Sequence, residues 1–569
     1  MIREEIEKDL TAVLKKLRVS PLLLTLEHPS EPNHGDYATN IALKIKTPDT
    51  KLRVHNAFDL ATKITNTWRS LGLPAYLDKI EILQPGFINL WLNNDYLITQ
   101  VEEVIKKGAG FGWSNIGKGK TVVIDYSSPN IAKPFSIGHF RSTIIGNSLA
   151  NIYRFLCWKV VGINHLGDWG TQFGKLIYQI KNNPSDKALT IQDLEKLYVD
   201  FHKKAEKKPE LEERAREWFK KLEEGDSEAK KIWQMCVEIS LKEFNRVYDR
   251  LGVRFEQTIG ESFYQDKTKE VIDLATKKKL AVKSEGALVI KLPELKGPPA
   301  LLVKSDGATT YFTRDLAAIV YRQKKWKPVL SIYEVGSEQA FHFQQLFAVA
   351  TKLGYGQKEN FIHLSHGLIH LPGGGKLSTR NGKTVYLEEI LEEAIKRAGK
   401  VGCKDEKTAQ AVGIGAIKYF DLKNHPATNI TFDWEKMFVL EGNSGPYLQY
   451  AYARTQSVLR KSKHPKFNFQ NSLVKNDHLK LKPEEVSLLR ALYKFPEVIM
   501  EAGANFSPNL ICSFIFDLAQ KYNLFYNRLS ILKADTEEIV DFRLALTTAV
   551  GQVLANGLEL LGIPAPEKM

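Results

Sequence analysis

The stretch SSPNIAKPFSIGHFRSTIIGNSLA, residues 127–150, follows a short β-branched run, TVVIDY, and precedes a second one, KVVGIN. Apolar residues in and just after the stretch recur at i, i+4, i+7 and i+11: Ile145, Leu149, Ile152 and Leu156. That spacing predicts a helix with one face in a core, and the flanking runs predict strands. Strand, helix and strand in this order form a βαβ unit, the opening half of a doubly wound nucleotide-binding sheet.

A glycine and a histidine, Gly138 and His139, stand where the turn after the first strand becomes the helix. A glycine there lets a ligand lie against the backbone, and the helix N-terminus favours phosphate through its unpaired N–H groups. The imidazole can donate to a phosphate oxygen. In the alternative interpretation, Gly138 only makes a tight turn and His139 only caps the helix, and the pattern alone leaves both open.

Length and composition narrow the class of protein. A chain of 569 residues is too long for one core and predicts several domains. With 43% hydrophobic and 26% charged residues, the chain is neither disordered nor fibrous. No apolar run approaches the roughly 20 residues that span a bilayer, and MIREEIEKDLTAVLKKL predicts an amphipathic helix rather than a signal peptide. Four separated cysteines without a CxxC pair complete the expectation of a cytoplasmic protein, and the net charge of +14 is consistent with a polyanionic partner.

Changes in periodicity along the chain predict four segments. Residues 1–112 mix helices with the strands AYLDKIEIL and GFINLWL, which predicts a small α+β domain. Residues 113–395 carry the sheet, interrupted at about 184–300 by helices whose alternating charges are typical of a solvated face. The sheet is expected to resume in ALLVKSDGATTYFT, PVLSIYEVG and FIHLSHGLIHL. A helical connection over 396–445 then leads to an all-α bundle over 446–569.

A second motif, LPGGGKLSTRNGKTV, covers residues 371–385. Three consecutive glycines are followed by polar and cationic residues: Lys376, Ser378, Thr379, Arg380 and Lys383. A glycine-rich loop that carries cations suits a phosphate that gains charge as its bond to a leaving pyrophosphate breaks. The alternative is a basic surface hairpin.

Taken together and in this order, SIGHFRST and GKLSTRNGK resemble the HIGH and KMSKS signatures of class I aminoacyl-tRNA synthetases. The segments SSPNIAKPFSIGHFRSTIIGN, NHLGDWGTQFG, YFTRDLAA and LQYAYART resemble the arginyl-tRNA synthetases among them. The likeness runs from GDYATN near residue 36 to the tail LELLGIPAPEKM. It implies a Rossmann-type parallel-sheet catalytic domain with an insertion, a small N-terminal α+β domain that contacts tRNA, and a C-terminal all-α anticodon-binding bundle.

The resemblance also implies an activity. Arginine would be activated by ATP to an adenylate and transferred to the terminal adenosine of arginine tRNA, with Mg²⁺ accompanying the nucleotide and adenylate formation requiring the tRNA. By the same resemblance, His139 contacts the reacting phosphate and Gly138 lies against the adenine ring. Lys376 and Ser378 would meet ATP from the second motif, and these groups would stabilise the α-phosphate rather than act as nucleophiles.

Two positions depart from the family's signatures. Ser136 stands where the first histidine of HIGH is usual, and it offers only a shorter hydroxyl. Thr379 replaces the second lysine of KMSKS, and in arginyl enzymes a lysine just before HIGH takes over its charge; Lys133 stands there. The catalytic candidates are therefore His139, Lys133, Lys376 and Ser136.

An arginine site needs carboxylates for the planar guanidinium and other polar groups for the α-amino end. Asp125 ends the first strand, and Asp315 lies in YFTRD. By resemblance, these two face the guanidinium, Tyr311 forms a wall, and Asn130 and Gln339 hold the α-amino group. Without the resemblance, an alternative is equally good for each residue: Asp125 only belongs to a turn, and Asp315 only stands near the start of a helix.

Histidines later in the chain are candidates for a nucleotide contact and for a metal site. His342 and Gln345 share one helical face, which the family places against ATP; the alternative is a surface pair. His363, His366 and His370 are spaced i, i+3 and i+7, which aligns only on a helix, whereas the segment is β-rich and predicts a strand. No cysteine or carboxylate completes a set of ligands, so we expect no metal site.

The segment YLQYAYARTQSVLRKSKHPK interleaves tyrosines with cations. Aromatic rings stack on unpaired bases and cations meet phosphates in many RNA-binding proteins, which makes Tyr447, Tyr450 and Arg454 candidates for the anticodon. Tyrosines at this spacing also pack helical bundles, so we expect Tyr447 and Tyr450 to be partly in the core. By the same resemblance, Phe87 and Asn89, on a strand of the first domain, are exposed candidates for the outer corner of the tRNA, although nothing local distinguishes them from packing residues.

Two other functions deserve comparison. A non-catalytic RNA-binding relative would keep the fold and lose the chemistry, and Ser136 leaves that alternative open. A synthetase for another amino acid is opposed by the paired acids and by YFTRD. No exposed apolar repeat predicts a partner surface, so we expect a monomer.

Overall fold

The computed structural model describes residues 1–45, 54–184, 187–370, 386–403, 405–462 and 480–569. The chain divides into two compact units. One comprises Met1–Gly112, Arg454–Val498 and Ile515–Asn556, and the other comprises Trp113–Ala453, Ile499–Phe514 and Gly557–Met569. Over these described ranges, no helix has the length and apolar character needed to cross a membrane.

The N-terminal segment combines helices with a three-stranded antiparallel sheet of order β1-β3-β2. Its elements are α1 Ile2–Lys16, β1 Tyr37–Thr39, α2 Ile41–Lys44, α3 Ala57–Ser70, β2 Leu77–Leu83, β3 Phe87–Leu92 and α4 Asn94–Lys107. The amphipathic first helix and both predicted strands are confirmed. The expectation that Asn89 is exposed is wrong, because β3 is the middle strand and Asn89 pairs with Ala38 on one side and Glu81 on the other.

The second unit begins with a parallel sheet. The strands of this unit are, in chain order, β4 Thr121–Asp125, β5 Lys159–Asn164, β6 Gln257–Thr258, β7 Ala281–Ser284, β8 Ala287–Ile290, β9 Ala300–Val303, β10 Leu330–Gly336, β11 Phe361–His366, β12 Ile369–His370 and β13 Ile430–Thr431. Five of them form one sheet of order β11-β10-β4-β5-β6, and every neighbouring pair is parallel.

Helices surround and follow this sheet. Those up to residue 461 are α5 Ile137–Phe155, α6 Thr171–Asn182, α7 Ile191–Ala205, α8 Glu210–Glu224, α9 Ser227–Leu251, α10 Thr268–Lys277, α11 Tyr311–Trp326, α12 Ala340–Leu353, α13 Leu387–Lys400, α14 Glu406–Leu422, α15 Trp434–Met437 and α16 Gly445–Lys461. The remaining helices are α17 Pro483–Leu492, α18 Phe495–Ala504, α19 Asn509–Arg528 and α20 Glu537–Leu560. The predicted βαβ unit is confirmed as β4-α5-β5, with its apolar stripe buried.

One predicted strand belongs to a different sheet. ALLVKSDGATTYFT supplies β9 of a small antiparallel sheet, β7-β8-β9, and then the start of α11. Ala300 and Leu302 are buried whereas Leu301 is exposed, the alternation of a sheet with one wet face; β4, by contrast, is buried almost throughout. The parallel sheet is therefore interrupted twice along the chain. The first interruption lies between β5 and β6, and the second, which contains the small antiparallel sheet, lies between β6 and β10.

The order of strands determines where a ligand can bind. From β4 the chain moves outward on one side to β5 and β6, and later on the other side to β10 and β11. The carboxyl ends of β4 and β10 therefore flank a topological switch point, where parallel α/β sheets bind their ligands.

Candidate active site

The loop from β4 to α5 is held in an unusual backbone conformation. Ser127, Ser128 and Ala132 have positive φ angles of 71°, 47° and 62°. Non-glycine residues in this region are strained and are concentrated at functional sites. Hydroxyl groups fix the loop: the Ser142 hydroxyl accepts from the backbone N–H of Ser127 at 2.9 Å, and the Ser240 hydroxyl accepts from that of Ala132 at 2.9 Å.

Ser136 and His139 form the N-terminal cap of α5. The backbone N–H of Ser136 donates to Nδ1 of His139 at 3.2 Å, which leaves Nε2 to carry the ring proton. Burial, with a smaller contribution from the charge of Lys133, lowers the pKa of His139 to about 4. At neutral pH His139 is therefore a neutral imidazole whose Nε2–H is available as a donor.

Gly138 lies exposed in the first turn of α5. Among the described residues, a β-carbon at this position would meet only the Ser136 hydroxyl, at 3.5 Å. No neighbour within those ranges requires glycine here, whereas a ligand lying on the backbone would. Lys133 is also exposed, and its ammonium lies 5.6 Å from the ring of Tyr198. The candidates of the second motif, Lys376 and Ser378, lie outside the described residues.

A cavity of about 510 Å³ opens at the carboxyl ends of β4, β5 and β10. Its wall includes all five residues predicted to bind arginine: Asp125, Asn130, Tyr311, Asp315 and Gln339. Ser128 and Asn130 belong to the loop that continues to Ser136, so the cavity and the capped helix share one connection.

Asp315 is approached by two imidazoles. Nε2 of His342 lies 2.8 Å from one carboxylate oxygen, and Nε2 of His165 lies 3.8 Å from the other. The ring of Tyr311, one helical turn earlier and 62% exposed, lies 5.2 Å from that of His342. The structure thus groups His342, predicted as a nucleotide contact, with the residues predicted for arginine.

Asp125 is already engaged within the protein. It accepts from the guanidinium of Arg322 at 2.7 Å and from the hydroxyl of Ser128 at 2.9 Å. Arg322 is 2% exposed, and its other terminal nitrogen donates to Nδ1 of His165 at 3.2 Å. Asp125 therefore anchors an internal arginine in the cavity wall, and its charge is paired within the protein.

A third carboxylate, Glu261, lines the same cavity. Its Oε2 lies 3.3 Å from Nε of Arg314. Burial first, and then the neighbouring charge of Asp315, raise the pKa of Glu261 to about 7. A cation placed between Glu261 and Asp315 would remove that repulsion, which suits a guanidinium.

Among the residues of this wall that sequence reasoning missed are Glu261, His165 and Arg322. Glu261 carries no local signal, because it lies in the segment interpreted as a charged insertion. His165 directly follows the second strand, so the rule that ligand-binding groups lie at strand ends could have identified it. Arg322 stands seven residues after Asp315 on α11 and therefore on the same helical face, which periodicity could have found.

Two further candidates occupy different surroundings. Asn130 lies so close to Gly167 that a β-carbon there would be 2.1 Å from its Oδ1, so the glycine of the GDWG segment makes room for this side chain. Gln345, in contrast, is not part of the cavity wall; its amide donates to the carbonyl of Pro298 at 2.7 Å.

His363 and His366 lie on β11, so the strand predicted for this segment is confirmed.

The predicted RNA contacts share helix α16. Tyr450 is 41% exposed, more than the partly buried packing we expected, and Tyr447 is half-buried. The guanidinium of Arg454 lies 4.8 Å from the ring of Tyr526 and donates to Asn523 at 2.5 Å. Tyr526 is exposed and adds an aromatic surface beside Arg454 that sequence reasoning missed.

Three family models match the chain in succession. Residues 2–92 match the arginyl tRNA synthetase N terminal domain, residues 100–434 the class I (R) tRNA synthetase catalytic domain, and residues 448–569 the DALR anticodon binding domain. Arginine–tRNA ligase of Streptococcus mutans is 42% identical over 576 residues, covering 99% of both chains. That of Halothermothrix orenii is 39% identical over 585 residues, covering 100% of this chain and 99% of the relative.

Solved structures share the fold over the full length. Arginyl-tRNA synthetase of Plasmodium falciparum superposes with a TM-score of 0.84 at 27% identity, covering 100% of this chain and 99% of that one. The Thermus thermophilus arginyl-tRNA synthetase superposes with a TM-score of 0.83 at 24% identity, covering 100% of both. The α/β sheet domain, the N-terminal α+β segment and the C-terminal helices predicted from the sequence are thereby confirmed.

Proposed function

The chain belongs to the arginyl-tRNA synthetase family, and on that premise we infer that it ligates L-arginine to its cognate tRNA for protein synthesis. ATP is the energy source, and an arginyl-adenylate is the intermediate. The observation that carries this assignment to individual residues is the carboxylate-lined cavity, whose loop residues Ser128 and Asn130 lead on to the capped start of α5. A cationic amino acid and a phosphate chain need those two environments side by side.

We propose that ATP lies over Gly138, with its phosphates at the N-terminus of α5. The carboxylate of arginine attacks the α-phosphorus, a new oxygen–phosphorus bond forms, and the bond to the leaving pyrophosphate breaks. His139 donates its Nε2–H to a phosphate oxygen, and Ser136 fixes the tautomer that makes this possible. Lys133 and, from the second motif, Lys376 and Ser378 add positive charge and donors as the phosphate charge grows.

The arginine side chain is proposed to enter between Asp315 and Glu261, with Tyr311 as a wall. Asp125 lines the same cavity while holding Arg322. His342 orients Asp315 through their 2.8 Å contact, rather than binding ATP directly. Asn130 and Gln339 hold the α-amino end, and Gln345 supports the cavity through Pro298.

We propose that Mg²⁺ arrives with ATP. The side chains at the capped turn are donors and one cation, which fit phosphate oxygens and not a metal ion. Mg²⁺ keeps several waters and is commonly bound by substrate phosphates, so we assign it no ligand of this protein. Its contribution when bound is to neutralise phosphate charge.

We propose that each of the four segments has its own role in binding or charging the tRNA. Residues 1–112 contact the outer corner of the tRNA, and residues 113–395 perform catalysis. Residues 396–445 connect the catalytic segment to residues 446–569, which bind the anticodon. Tyr447, Tyr450 and Arg454 are the proposed anticodon contacts, with Tyr526 beside Arg454. The enzyme is proposed to act as a cytoplasmic monomer.

Arginine-dependent exchange of pyrophosphate into ATP, measured with and without tRNA, tests this function. We expect exchange when arginine, ATP and arginine tRNA are all present, and little exchange without the tRNA. An absence of exchange under both conditions would leave a non-catalytic RNA-binding protein as the better interpretation.

A further inference from the structure

Helix α7, residues Ile191–Ala205, belongs to the charged excursion between β5 and β6, yet one of its faces contacts the catalytic turn. Glu195 and Tyr198 stand three residues apart and so share a helical face. Neither carries a role in the function proposed above. Each contacts a residue that is tied to the start of α5.

Glu195 accepts a hydrogen bond from the hydroxyl of Tyr386 at 2.8 Å. Tyr386 forms an isolated antiparallel bridge with Ser136, and the next backbone N–H, that of Leu387, donates to the carbonyl of Phe135 at 3.0 Å. The hydrogen bond to Glu195, and then burial, raise the pKa of Tyr386 to about 12, so the phenol keeps its proton at neutral pH. Glu195 therefore holds the strand-like segment that pairs with the cap of α5.

Tyr198 lies under the side chain of Lys133. The ammonium is 5.6 Å from the ring centroid, within the range of a cation–π contact. The ring of His202 lies 4.7 Å from that of Tyr198, edge to face, and limits how Tyr198 can turn. Because a lysine side chain is long and flexible, such a contact narrows the positions that its charge occupies.

We propose that Glu195 and Tyr198 are positioning residues for adenylate formation: Glu195 holds the Tyr386 bridge against Ser136, and Tyr198 holds the ammonium of Lys133 beside the phosphates. This inference rests on the proposed roles of His139 and Lys133. It gives α7 a function in catalysis, whereas its charge pattern alone indicates only a solvated face.

The Tyr198 contact is tested with Tyr198→Leu and Tyr198→Phe. We expect Tyr198→Leu to lower kcat/KM for ATP in the exchange reaction about two- to fivefold, the worth of an exposed cation–π contact. The KM for arginine should stay unchanged, because the cavity is untouched. Tyr198→Phe keeps the ring and should restore the wild-type value. Val199→Ala, at an exposed position of the same helix, is the matched control.

A double-mutant cycle separates positioning from packing. In a Lys133→Ala background, Tyr198→Leu should cause no further loss, because the charge that it positions is gone. An undiminished loss in that background would overturn the role of Tyr198, as would a Tyr198→Phe enzyme as impaired as Tyr198→Leu.

The Glu195 contact has its own pair of variants. Tyr386→Phe removes only the hydroxyl and should lower kcat for activation about tenfold, the worth of a hydrogen bond to a charged group. Glu195→Gln keeps an uncharged acceptor and should cost less, and the double variant should be no worse than Tyr386→Phe. Independent, multiplying losses, or a Tyr386→Phe enzyme of wild-type activity, would overturn the role of Glu195.

These outcomes are distinguishable from a failure of the proposed function. All variants are compared with a wild-type enzyme that first shows arginine-dependent exchange, and a wild type without exchange counts against the function itself. Thermal unfolding of each variant confirms that a lost rate does not reflect a lost fold.

Discussion

At the scale of single residues, the three carboxylates of the cavity differ in the groups that surround them. Asp125 is bonded to the internal guanidinium of Arg322, and Glu261 lies 3.3 Å from Arg314. The ion-pair partners that the described residues supply to Asp315 are imidazoles, at 2.8 Å and 3.8 Å. A free guanidinium therefore meets least competition at Asp315, and we expect this residue to dominate arginine recognition.

Asp315→Asn tests that expectation. Loss of a charge-assisted pair with the guanidinium should raise the KM for arginine by about tenfold to a hundredfold, while the KM for ATP changes by less than about threefold. Steady-state exchange kinetics measure both constants. Asp273→Asn, at an exposed acid on α10, is the control and should change neither. Equal losses for arginine and ATP would remove Asp315 from the guanidinium site.

The raised pKa of Glu261 predicts that the KM for arginine depends on pH. Its pKa is raised to about 7, and the guanidinium of arginine binds best to the ionised carboxylate. Between pH 8 and pH 6 the ionised fraction falls roughly tenfold, so the KM for arginine should rise by a similar factor. In Glu261→Gln the KM for arginine should be high and nearly independent of pH in this window. A wild-type KM that stays constant from pH 6 to pH 8 would contradict the assignment.

The same shift carries a consequence for stability. Because the folded-state pKa of Glu261 lies above its ordinary value of 4.5, the folded protein favours the protonated form. That contribution is fully present below about pH 4.5 and is lost as the pH rises through 7. Thermal unfolding should therefore show Glu261→Gln gaining more stability over the wild type at pH 8 than at pH 5.

At the scale of elements, helix α5 is fixed by Arg141, one turn beyond the cap. Arg141 is 1% exposed and pairs with Asp421 of α14. It also donates to backbone carbonyls just after β11 and after α14: Gly367 at 2.8 Å, Thr428 at 2.8 Å and Pro426 at 3.2 Å. The arginine of GHFR therefore connects the capped helix with the edge of the sheet.

Arg141→Ala should lower the free energy of unfolding by about 3–5 kcal/mol, because it leaves a buried carboxylate without its partner. Urea denaturation followed by circular dichroism measures the change. Arg154→Ala, on the same helix, breaks an exposed pair with Glu256 and should cost less than about 1 kcal/mol. Similar effects of the two variants would show that the Arg141 cluster is not a principal anchor of α5.

Elements with strong periodicity were predictable from sequence, whereas their partners were not. The stripe from Ile145 to Leu156 identified α5 because local spacing reflects burial. β9 was assigned to the wrong sheet, since four apolar residues do not reveal which neighbour they pair with. Asp125 was found at its strand end, but its bond to Arg322 joins residues 197 apart in sequence and depends on the folded chain.

At the scale of the whole molecule, distant parts of the chain share one unit. Glu497 accepts from Arg3 at 2.5 Å, lies 3.1 Å from Nε2 of His28, and also bonds the hydroxyl of Tyr37. The first unit thus joins the N-terminal segment with residues 454–498. Such a grouping cannot be predicted from the order of the segments along the chain, because separation in sequence says little about separation in space.

The net charge of +14 predicts how tRNA binding responds to salt. Neutralising several phosphates releases counterions, so the Kd for tRNA should rise at least about a hundredfold between 50 and 200 mM KCl. The KM for arginine, whose site is partly buried, should change by less than about threefold over that range. Filter binding and exchange kinetics measure the two, and a Kd for tRNA that is insensitive to salt would contradict the proposed phosphate contacts.

The central claim is that this cavity selects a guanidinium by its carboxylates. Its most direct test is the ratio of kcat/KM for arginine to that for citrulline, a neutral analogue of nearly the same shape, in the wild type and in Asp315→Asn. We predict that the wild type prefers arginine by at least about a hundredfold and that the variant narrows the ratio to within about tenfold. A wild type that uses both equally well, or a variant that keeps the full preference, would contradict the account.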